Sequence, residues 1–558
     1  MKADTVGKAI AIALFVIIVA SSVCFVFTYD DDSDEFYQSE KIEFTQIGDS
    51  LDGTIKVDIK QLGLDKDAGN VKYSITRSDF DVALDADLDP SGTISVSVPF
   101  HGRYTLELKF TSGGTAQTEK MSIDFSASHY NFIITNATLP VTMSMTKAFI
   151  DENGYTYVRL ERGATFEWSE LPYDIRPFPT QYQDRTGTIT TGQRWLSPGE
   201  SVIMIAYVKE LCMLNPDATF AWSISENYSR WSYGTLLAAG VPVDQMTINI
   251  YADGVNWSSS FVGQGMYNQT TYETQVAATK ARIDDIIAKV QDGIDQSFGY
   301  TEDWKDTWVL GEVLPEYGIS VNYYCFEVTK NAVMKRIDSL PDGEWKTKLL
   351  DLMSTYVVGG DLSERYDTLS AIPDRLQYYE RTFRLAWDEG GVEVHFTADS
   401  SNPALIILGT APGPPLSGMG ETSAEMGGGT FREYMEWAVA TYGSTHTIYY
   451  KGHPGWPVDP NNAYFKDEFG PGVTRLDWFE ANGVIILPYP TPAEVYFFVS
   501  DDVYGGGYWS STFNSVDPPN VLFAFGTVAY IQGIAGANYE VFISAGMLIV
   551  NKPYLDSL

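Results

Sequence analysis

The sequence predicts an α/β protein built on two parallel sheets, preceded by a membrane-spanning helix and a small antiparallel sandwich. Three observations point there. An uncharged run occupies Ala9 to Thr28, short alternating runs fill residues 41–127, and beyond His129 short apolar segments alternate with helix-length ones. A length of 558 residues leaves room for three or four domains of ~150 residues each.

The amino-terminal run has the length needed to cross ~30 Å of hydrocarbon. Lys2 and Lys8 precede it, and Asp30, Asp31, Asp32, Asp34 and Glu35 follow it. It is longer than a usual signal core and no small-x-small cleavage site follows, so 1–28 reads as a signal anchor, with a cleaved signal peptide as the competing reading. Lysines before the span put the short tail in the cytoplasm and the bulk of the chain outside, as a single-pass cell-membrane protein. Asn-x-Ser/Thr triplets at Asn136, Asn227, Asn256 and Asn268 are compatible with that face. Residues 29–40 are acidic and polar and read as a linker.

Within 41–127 the runs Thr54–Ile59, Thr93–Val98 and Tyr104–Phe110 alternate apolar and polar residues. Asp52-Gly53, Pro90-Ser91-Gly92 and Gly113-Gly114 supply turns between strands. No helix-length period appears, which is the pattern of a small antiparallel sandwich. It carries no evident chemistry and reads as a spacer or binding module.

From 128 onward, strand candidates are Tyr130–Thr135, Ser201–Val208, Thr247–Tyr251, Ala404–Gly409, Thr447–Tyr450, Val484–Leu487 and Val521–Phe525. Helical stretches lie between them. Thr271 to Ile294 places Val276, Ile283, Ile286, Ile287, Val290 and Ile294 on one face, and Trp345–Val357 and Thr430–Tyr442 are similar. Short buried strands alternating with helices imply parallel sheets covered on both faces. The span is too long for one sheet, so a break is expected within Glu389–Asn402, giving units 128–395 and 396–558.

Composition removes several functions. Asp+Glu is 73 against 37 Lys+Arg, a net charge of −36, which repels phosphodiester backbones and excludes a nucleic-acid partner. Apolar residues at 44% suffice for real cores. Of three cysteines Cys24 lies in the apolar run, so Cys212 and Cys325 form at most one bridge. Five histidines with no HExxH and no CxxC give little material for zinc, and neither a metal nor a cofactor is expected.

Ligands of open α/β sheets bind at the carboxyl ends of strands, so those ends are the places to look. Thr247–Tyr251 leads into Ala252-Asp253-Gly254, either a turn or a general base at the sheet mouth. Ala404–Leu408 leads into Gly409-Thr410, where glycine admits a close ligand or simply ends the strand. Thr447–Tyr450 leads into Lys451-Gly452-His453-Pro454, and histidine is the side chain most able to exchange a proton near neutral pH. Gly505-Gly506-Gly507 precedes Ser510-Ser511-Thr512; read as a glycine-rich turn, it is a phosphate cradle or a helix cap. Glu494 follows Pro492-Ala493 and has no special reading by itself.

Taken in order, Asp-Gly, Gly-Thr, Lys-Gly-His-Pro, Pro-Ala-Glu-Val and Ser-Ser resemble the bacterial sialyltransferases of the Pasteurella and Photobacterium type. The resemblance covers about 129–558 and is densest from Ala404 to Ser515. It implies a GT-B fold, two Rossmann-like domains facing across a cleft, with an acceptor side at 128–395 and a CMP-sugar side at 396–558. Marine members carry an immunoglobulin-like sandwich ahead of the catalytic part, which fits 41–127. By resemblance, Asp253 deprotonates the acceptor hydroxyl and His453 acts as general acid on the departing phosphate. Pro454 packs on the cytosine, Ser510 and Ser511 hold the phosphate, and Glu494 receives the ribose hydroxyls. Gly409, Thr410 and Lys451 line the nucleotide pocket. The chain departs from the pattern at Ala252, where the family has a first acid, and at Gly455, where some relatives have arginine.

The chemistry implied is inverting and metal-independent: hydroxyls, backbone N–H groups and a protonated histidine answer the charge building on the phosphate. The donor is a CMP-activated nonulosonic acid, sialic acid being the family expectation, and the acceptor a glycan hydroxyl. Two other readings stay open. Ala252 favours a catalytically inactive, membrane-tethered glycan-binding surface protein, and a transferase using another nucleotide sugar is the second.

Overall fold

Alternation with a period of two buries one face of each strand, and the first strands follow it. In the computed structural model these are β1 (Ile42–Gln46), β2 (Asp52–Val57), β3 (Lys72–Arg77), β4 (Phe80–Asp87), β5 (Thr93–Ser97), β6 (Gly102–Ser112) and β7 (Thr115–Phe125). They pair antiparallel in two sheets, ordered β1-β2-β5 and β4-β3-β6-β7. Ile55, Val57, Ile94, Val96, Tyr104, Leu106 and Leu108 share one apolar core.

The structure describes most of residues 39–556. Outside the described residues lie 1–38, 65–70, 135–155, 161–175, 191–197, 226–231, 253–260, 294–303, 357–395, 410–428, 453–457, 459–464, 488–492 and 515–519, with some shorter stretches and 557–558. The expected anchor at 9–28 lies outside the described residues, as does nearly all of the expected linker. Among the described residues, no helix is long and apolar enough to cross a membrane.

The chain then turns to parallel pairing. In order come β8 (His129–Ile134), β9 (Thr156–Leu160), β10 (Arg176–Pro177), the hairpin β11 (Gln181–Asp184) and β12 (Gly187–Thr190), α1 (Pro198–Leu214), β13 (Thr219–Ser225), α2 (Tyr233–Ala238) and β14 (Met246–Ala252). After these come α3 (Gln269–Gln291), α4 (Leu310–Glu316), β15 (Ser320–Cys325), α5 (Glu327–Asp338) and α6 (Glu344–Tyr356). Six strands form one wholly parallel sheet, ordered β10-β9-β8-β13-β14-β15. Phe132, Trp222, Ile248, Ile250 and Tyr323 face a core closed by Leu211, Ile283, Leu314, Ile337 and Leu349 from the helices.

One expected strand is a helix. Ser201–Val208 lies inside α1, which opens on Pro198, a residue suited to a first helical turn. Ile205, Val208 and Leu211, three apart, are its buried stripe. A short apolar run does not distinguish a strand from a buried helix by periodicity; its continuation through Lys209–Leu214 decides for helix.

The second parallel sheet contains β16 (Ala404–Leu408), α7 (Phe431–Tyr442), β17 (Thr447–Lys451), α8 (Arg475–Ala481), β18 (Ile485–Ile486), α9 (Ala493–Phe497) and β19 (Val503–Gly507). Its strand order is β18-β17-β16-β19. β16 is buried along its whole length: Ala404, Ile406 and Leu408 enter one core, Leu405 and Ile407 another on the opposite face. Such two-sided burial is what an uninterrupted apolar strand implies. β20 (Phe523–Phe525), α10 (Val528–Ala535), α11 (Asn538–Ser544) and β21 (Leu548–Val550) follow, β20 and β21 pairing parallel. Ahead of β16, Asp399 Oδ1 accepts from the amides of Ser401 and Asn402, a turn within the segment expected to part the two units.

Candidate functional site

The register of the second sheet sets its carboxyl edge. Leu408 lies opposite Lys451 on one side and Gly507 on the other. Gly409 N donates to Lys451 O and Tyr508 N to Leu408 O, each at 2.9 Å. Three neighbouring parallel strands therefore leave the sheet together, through Gly409, Gly452 and Tyr508. Lys451 is 1% exposed, and its ammonium donates to the Gly452 carbonyl at 2.6 Å.

The glycine-rich stretch is not the turn expected from its composition. Gly505–Gly507 is the end of β19, and each glycine makes room for something. A Cβ at Gly506 would lie 2.3 Å from the Phe523 ring, and one at Gly507, whose φ is +114°, 2.4 Å from Leu408 O. The glycines thus serve close packing rather than a cradle, because their amides belong to the strand. Ser510 follows as a cap: its Oγ accepts from Thr512 N at 3.3 Å and bonds Thr512 Oγ1 at 3.1 Å. Ser511 starts the short 3-10 turn Ser511–Asn514, and Glu494 lies in α9. Thr410, His453 and Pro454 lie outside the described residues.

On the first sheet, β14 ends at Ala252, one residue before Asp253, which lies outside the described residues. A polar ladder crosses the strands below that end. Ser223 Oγ donates to Asn131 Oδ1 at 2.9 Å, Asn249 Nδ2 to Ser223 Oγ at 3.2 Å, and Asn322 Nδ2 to Asn249 Oδ1 at 2.9 Å. Asn131, Ser223 and Asn249 are fully buried, and Asn131 Nδ2 has no partner among the described residues. Tyr251 packs against its register partner Tyr324, ring centroids 5.0 Å apart and the planes tilted by 33°. Sequence reasoning missed this ladder; its signal is an Asn or Ser set between apolar residues within each of the strands β8, β13, β14 and β15.

A second buried node is Asp306. It accepts from Tyr233 Oη at 2.9 Å, Gln275 Nε2 at 2.8 Å and Thr279 Oγ1 at 2.7 Å, and pairs with Arg282. It joins α2, α3 and the 3-10 turn Trp304–Trp308. Among the described residues no cluster of His, Cys, Asp and Glu is suited to hold a metal ion. Cys212 is a free thiol whose pKa burial pushes up.

These elements define an α/β protein with a six-stranded and a four-stranded parallel sheet behind a set of antiparallel strands. No family model matches the chain, and no curated protein matches it. Among solved structures, it is similar to a sialyltransferase from Photobacterium damsela at 14% identity, covering 86% of this chain and 94% of that one, with a TM-score of 0.38. A UGT transferase from Siraitia grosvenorii in complex with UDP is 12% identical over 76% of this chain and 85% of that one, TM-score 0.34. MurG of Acinetobacter baumannii is 9% identical over 77% and 87%, TM-score 0.26. All three scores lie below 0.5.

Proposed function

We propose that the chain is a glycosyltransferase, and specifically an inverting, metal-independent one that moves sialic acid or a related nonulosonic acid from its CMP donor to a glycan hydroxyl. The observation that carries the reading is the shared carboxyl edge of β17, β16 and β19. Adjacent parallel strands end there at Lys451, Leu408 and Gly507, ahead of Gly409 and Ser510, and such edges are where open α/β sheets take their ligands. Lys451 is followed within two residues by His453, and β14 of the other sheet is followed at once by Asp253.

The roles are those that the resemblance implies, and they suit the bond that breaks. Charge accumulates on the leaving phosphate, where His453 as acid and the hydroxyls of Ser510 and Ser511 answer it. Glu494 takes the ribose hydroxyls, while Gly409, Thr410, Lys451 and Pro454 line the nucleotide. Asp253 removes the acceptor proton, and one base opposite one acid suits a single displacement with inversion. In this reading residues 9–28 tether the chain to a membrane with its catalytic part on the external face.

The test is CMP release from CMP-sialic acid by the full chain in mild detergent, with and without lactose. Release should rise with acceptor, and His453→Ala should lower it about 100-fold or more. No release by folded wild-type protein would overturn the reading.

A further inference from the structure

Of the four Asn-x-Ser/Thr triplets, the one at Asn268-Gln269-Thr270 lies within the described residues; Asn136, Asn227 and Asn256 lie outside them. The chain brings this triplet to the surface for a local reason. Gly265, with φ at +68°, turns the backbone, and Met266 sinks into the core of the first parallel sheet. Asn268 N closes the turn on Gly265 O at 2.8 Å, and Trp345 Nε1 of α6 donates to the Tyr267 carbonyl at 2.8 Å. With residues 265–267 held in this way, Asn268, Gln269, Thr270 and Thr271 stand exposed in succession where α3 begins.

Asn268 is the N-cap of α3, its Oδ1 accepting from Thr271 N at 3.2 Å. That bond uses only the carbonyl half of the amide. Among the described residues Asn268 Nδ2 donates to nothing, and the Thr270 hydroxyl has no partner. Capping accounts for the asparagine, which Asp or Ser would replace with little loss, but it makes no use of the hydroxyl two residues on. The triplet uses both, because that hydroxyl marks the acceptor asparagine for an N-linked glycan. The two uses of the side chain are compatible. A glycan on Nδ2 leaves Oδ1 a carbonyl oxygen, so the cap persists, and an exposed helix entry has solvent around it for a bulky, polar group.

We propose that Asn268 carries an N-linked glycan. The step joins Asn268 Nδ2 to the anomeric carbon of a glycan supplied on a lipid phosphate. The new bond is C–N, and the bond from that carbon to the phosphate oxygen breaks. The electron pair leaves with the phosphate, and one amide proton passes to a base of the separate enzyme that makes the transfer. Such modification belongs to secreted chains and external surfaces, so the proposal rests on the reading that residues 9–28 tether the chain with its bulk outside.

The test uses the full chain, made in the cells that naturally carry it and extracted in mild detergent. Mass spectrometry of the peptide spanning Asn268 should show whole sugar residues added at that asparagine in most copies. Asn268→Asp keeps the cap and removes the acceptor nitrogen, Thr270→Ala removes the hydroxyl, and both should abolish the added mass. Thr270→Ser, which keeps a hydroxyl, should retain it. A bare Asn268 in wild-type protein overturns the proposal. So does a sugar that survives Thr270→Ala, which makes the modification independent of the triplet. Orientation is read separately, with a membrane-impermeant amine reagent on intact cells. Lys280 and Lys289 of α3, with side chains 33% and 32% exposed, are the residues to follow. Labelling of both beside a bare Asn268 defeats the glycan and leaves the external-face reading standing. Labelling only after lysis defeats that reading and the glycan with it. CMP release enters neither outcome.

Discussion

Arg77 of β3 and Glu210 of α1 form a buried ion pair, 3.1 Å from Nη2 to Oε2, that joins the antiparallel strands to the first parallel sheet. Nη1 of the same arginine donates to His101 O at 2.7 Å, and Glu210 Oε1 accepts from Arg103 N at 3.1 Å. Gly102 lies between the partners with φ at +133°, where a Cβ would meet both. His101 stacks edge-on against Tyr130 of β8 at 5.3 Å, extending the junction. Antiparallel strands joined this way are a docked part of the α/β unit.

The first prediction concerns this junction. Glu210→Ala removes the carboxylate that pairs with Arg77, 2% exposed, and should cost about 3 kcal/mol. Thermal unfolding of the full chain should show its lowest transition moving down by several degrees. Gly102→Ala should lower the same transition, and the double variant should fall short of the sum, because both substitutions break one contact. A strictly additive pair would separate the glycine from the ion pair.

A second prediction concerns the end of β19. Gly507→Ala combines a left-handed φ with a Cβ 2.4 Å from Leu408 O, and neither backbone has anywhere to go. It should cost about 3 kcal/mol. Gly240→Ala also has a positive φ, +81°, but open space around the new methyl, and should cost about 1 kcal/mol. Denaturation midpoints of the two variants measure the steric part as the difference.

Much of this architecture is legible in residue patterns, and the exceptions have physical reasons. Ile55, Ile94 and Leu106 are buried where alternation puts them, and α3 and α7 occupy the stretches whose 3.6-residue period is clear. Ser201–Val208 reads as a strand because eight apolar-rich residues carry no decisive period, and Gly505–Gly507 reads as a turn because glycine marks turns by composition. Which aromatic ring a missing side chain admits is a tertiary fact. Among candidate site residues, Gly409 and Lys451 are visible at strand ends, since a change from an apolar run marks the edge. The ladder Asn131–Ser223–Asn249–Asn322 is not, because one polar residue in an apolar strand does not name its neighbour. Arg475 is likewise silent in sequence: nothing in Thr474-Arg475-Leu476 tells that Glu468 and Tyr450 converge on it.

Asp306 supports a third prediction. With no exposure and four donors, its carboxylate is the counter-charge for Arg282 and the acceptor for Thr279. Asp306→Asn replaces an acceptor by a group that must itself donate, and should cost about 3–5 kcal/mol. Thr279→Val removes one neutral donor to that charge and should cost about 1–2 kcal/mol. Urea unfolding of both, and of the double variant, should give a coupling above the error, because the two groups share one charge-assisted bond; without the carboxylate, Thr279 Oγ1 keeps the Gln275 carbonyl at 2.9 Å as its acceptor.

The last prediction is a pH dependence. Glu433 closes the capping box of α7: its Oε2 accepts from Thr430 N at 2.9 Å while Thr430 Oγ1 accepts from Glu433 N at 3.1 Å. Its other oxygen accepts from Lys552 Nζ at 2.6 Å, tying α7 to the carboxyl-terminal segment. The Lys552 hydrogen bond first, then that of the Thr430 amide, holds the Glu433 carboxyl below its ordinary value of 4.5. A carboxyl depressed on folding contributes stability that is fully present above its ordinary value and is lost as the pH falls through the folded one. Glu433→Gln should therefore be less stable than wild type at pH 7, by about 1 kcal/mol, a modest figure because half of the lysine side chain is exposed. Below the ordinary carboxyl value the gap should close, since the wild-type group is then losing its charge as well. A chain with a net charge of −36 changes its whole repulsion over that range, so either stability profile alone says little about one residue. The difference between the two thermal midpoints, followed from pH 7 into the acid range, isolates Glu433. A gap that stays constant would mean that the amide replaces the carboxylate without using its charge.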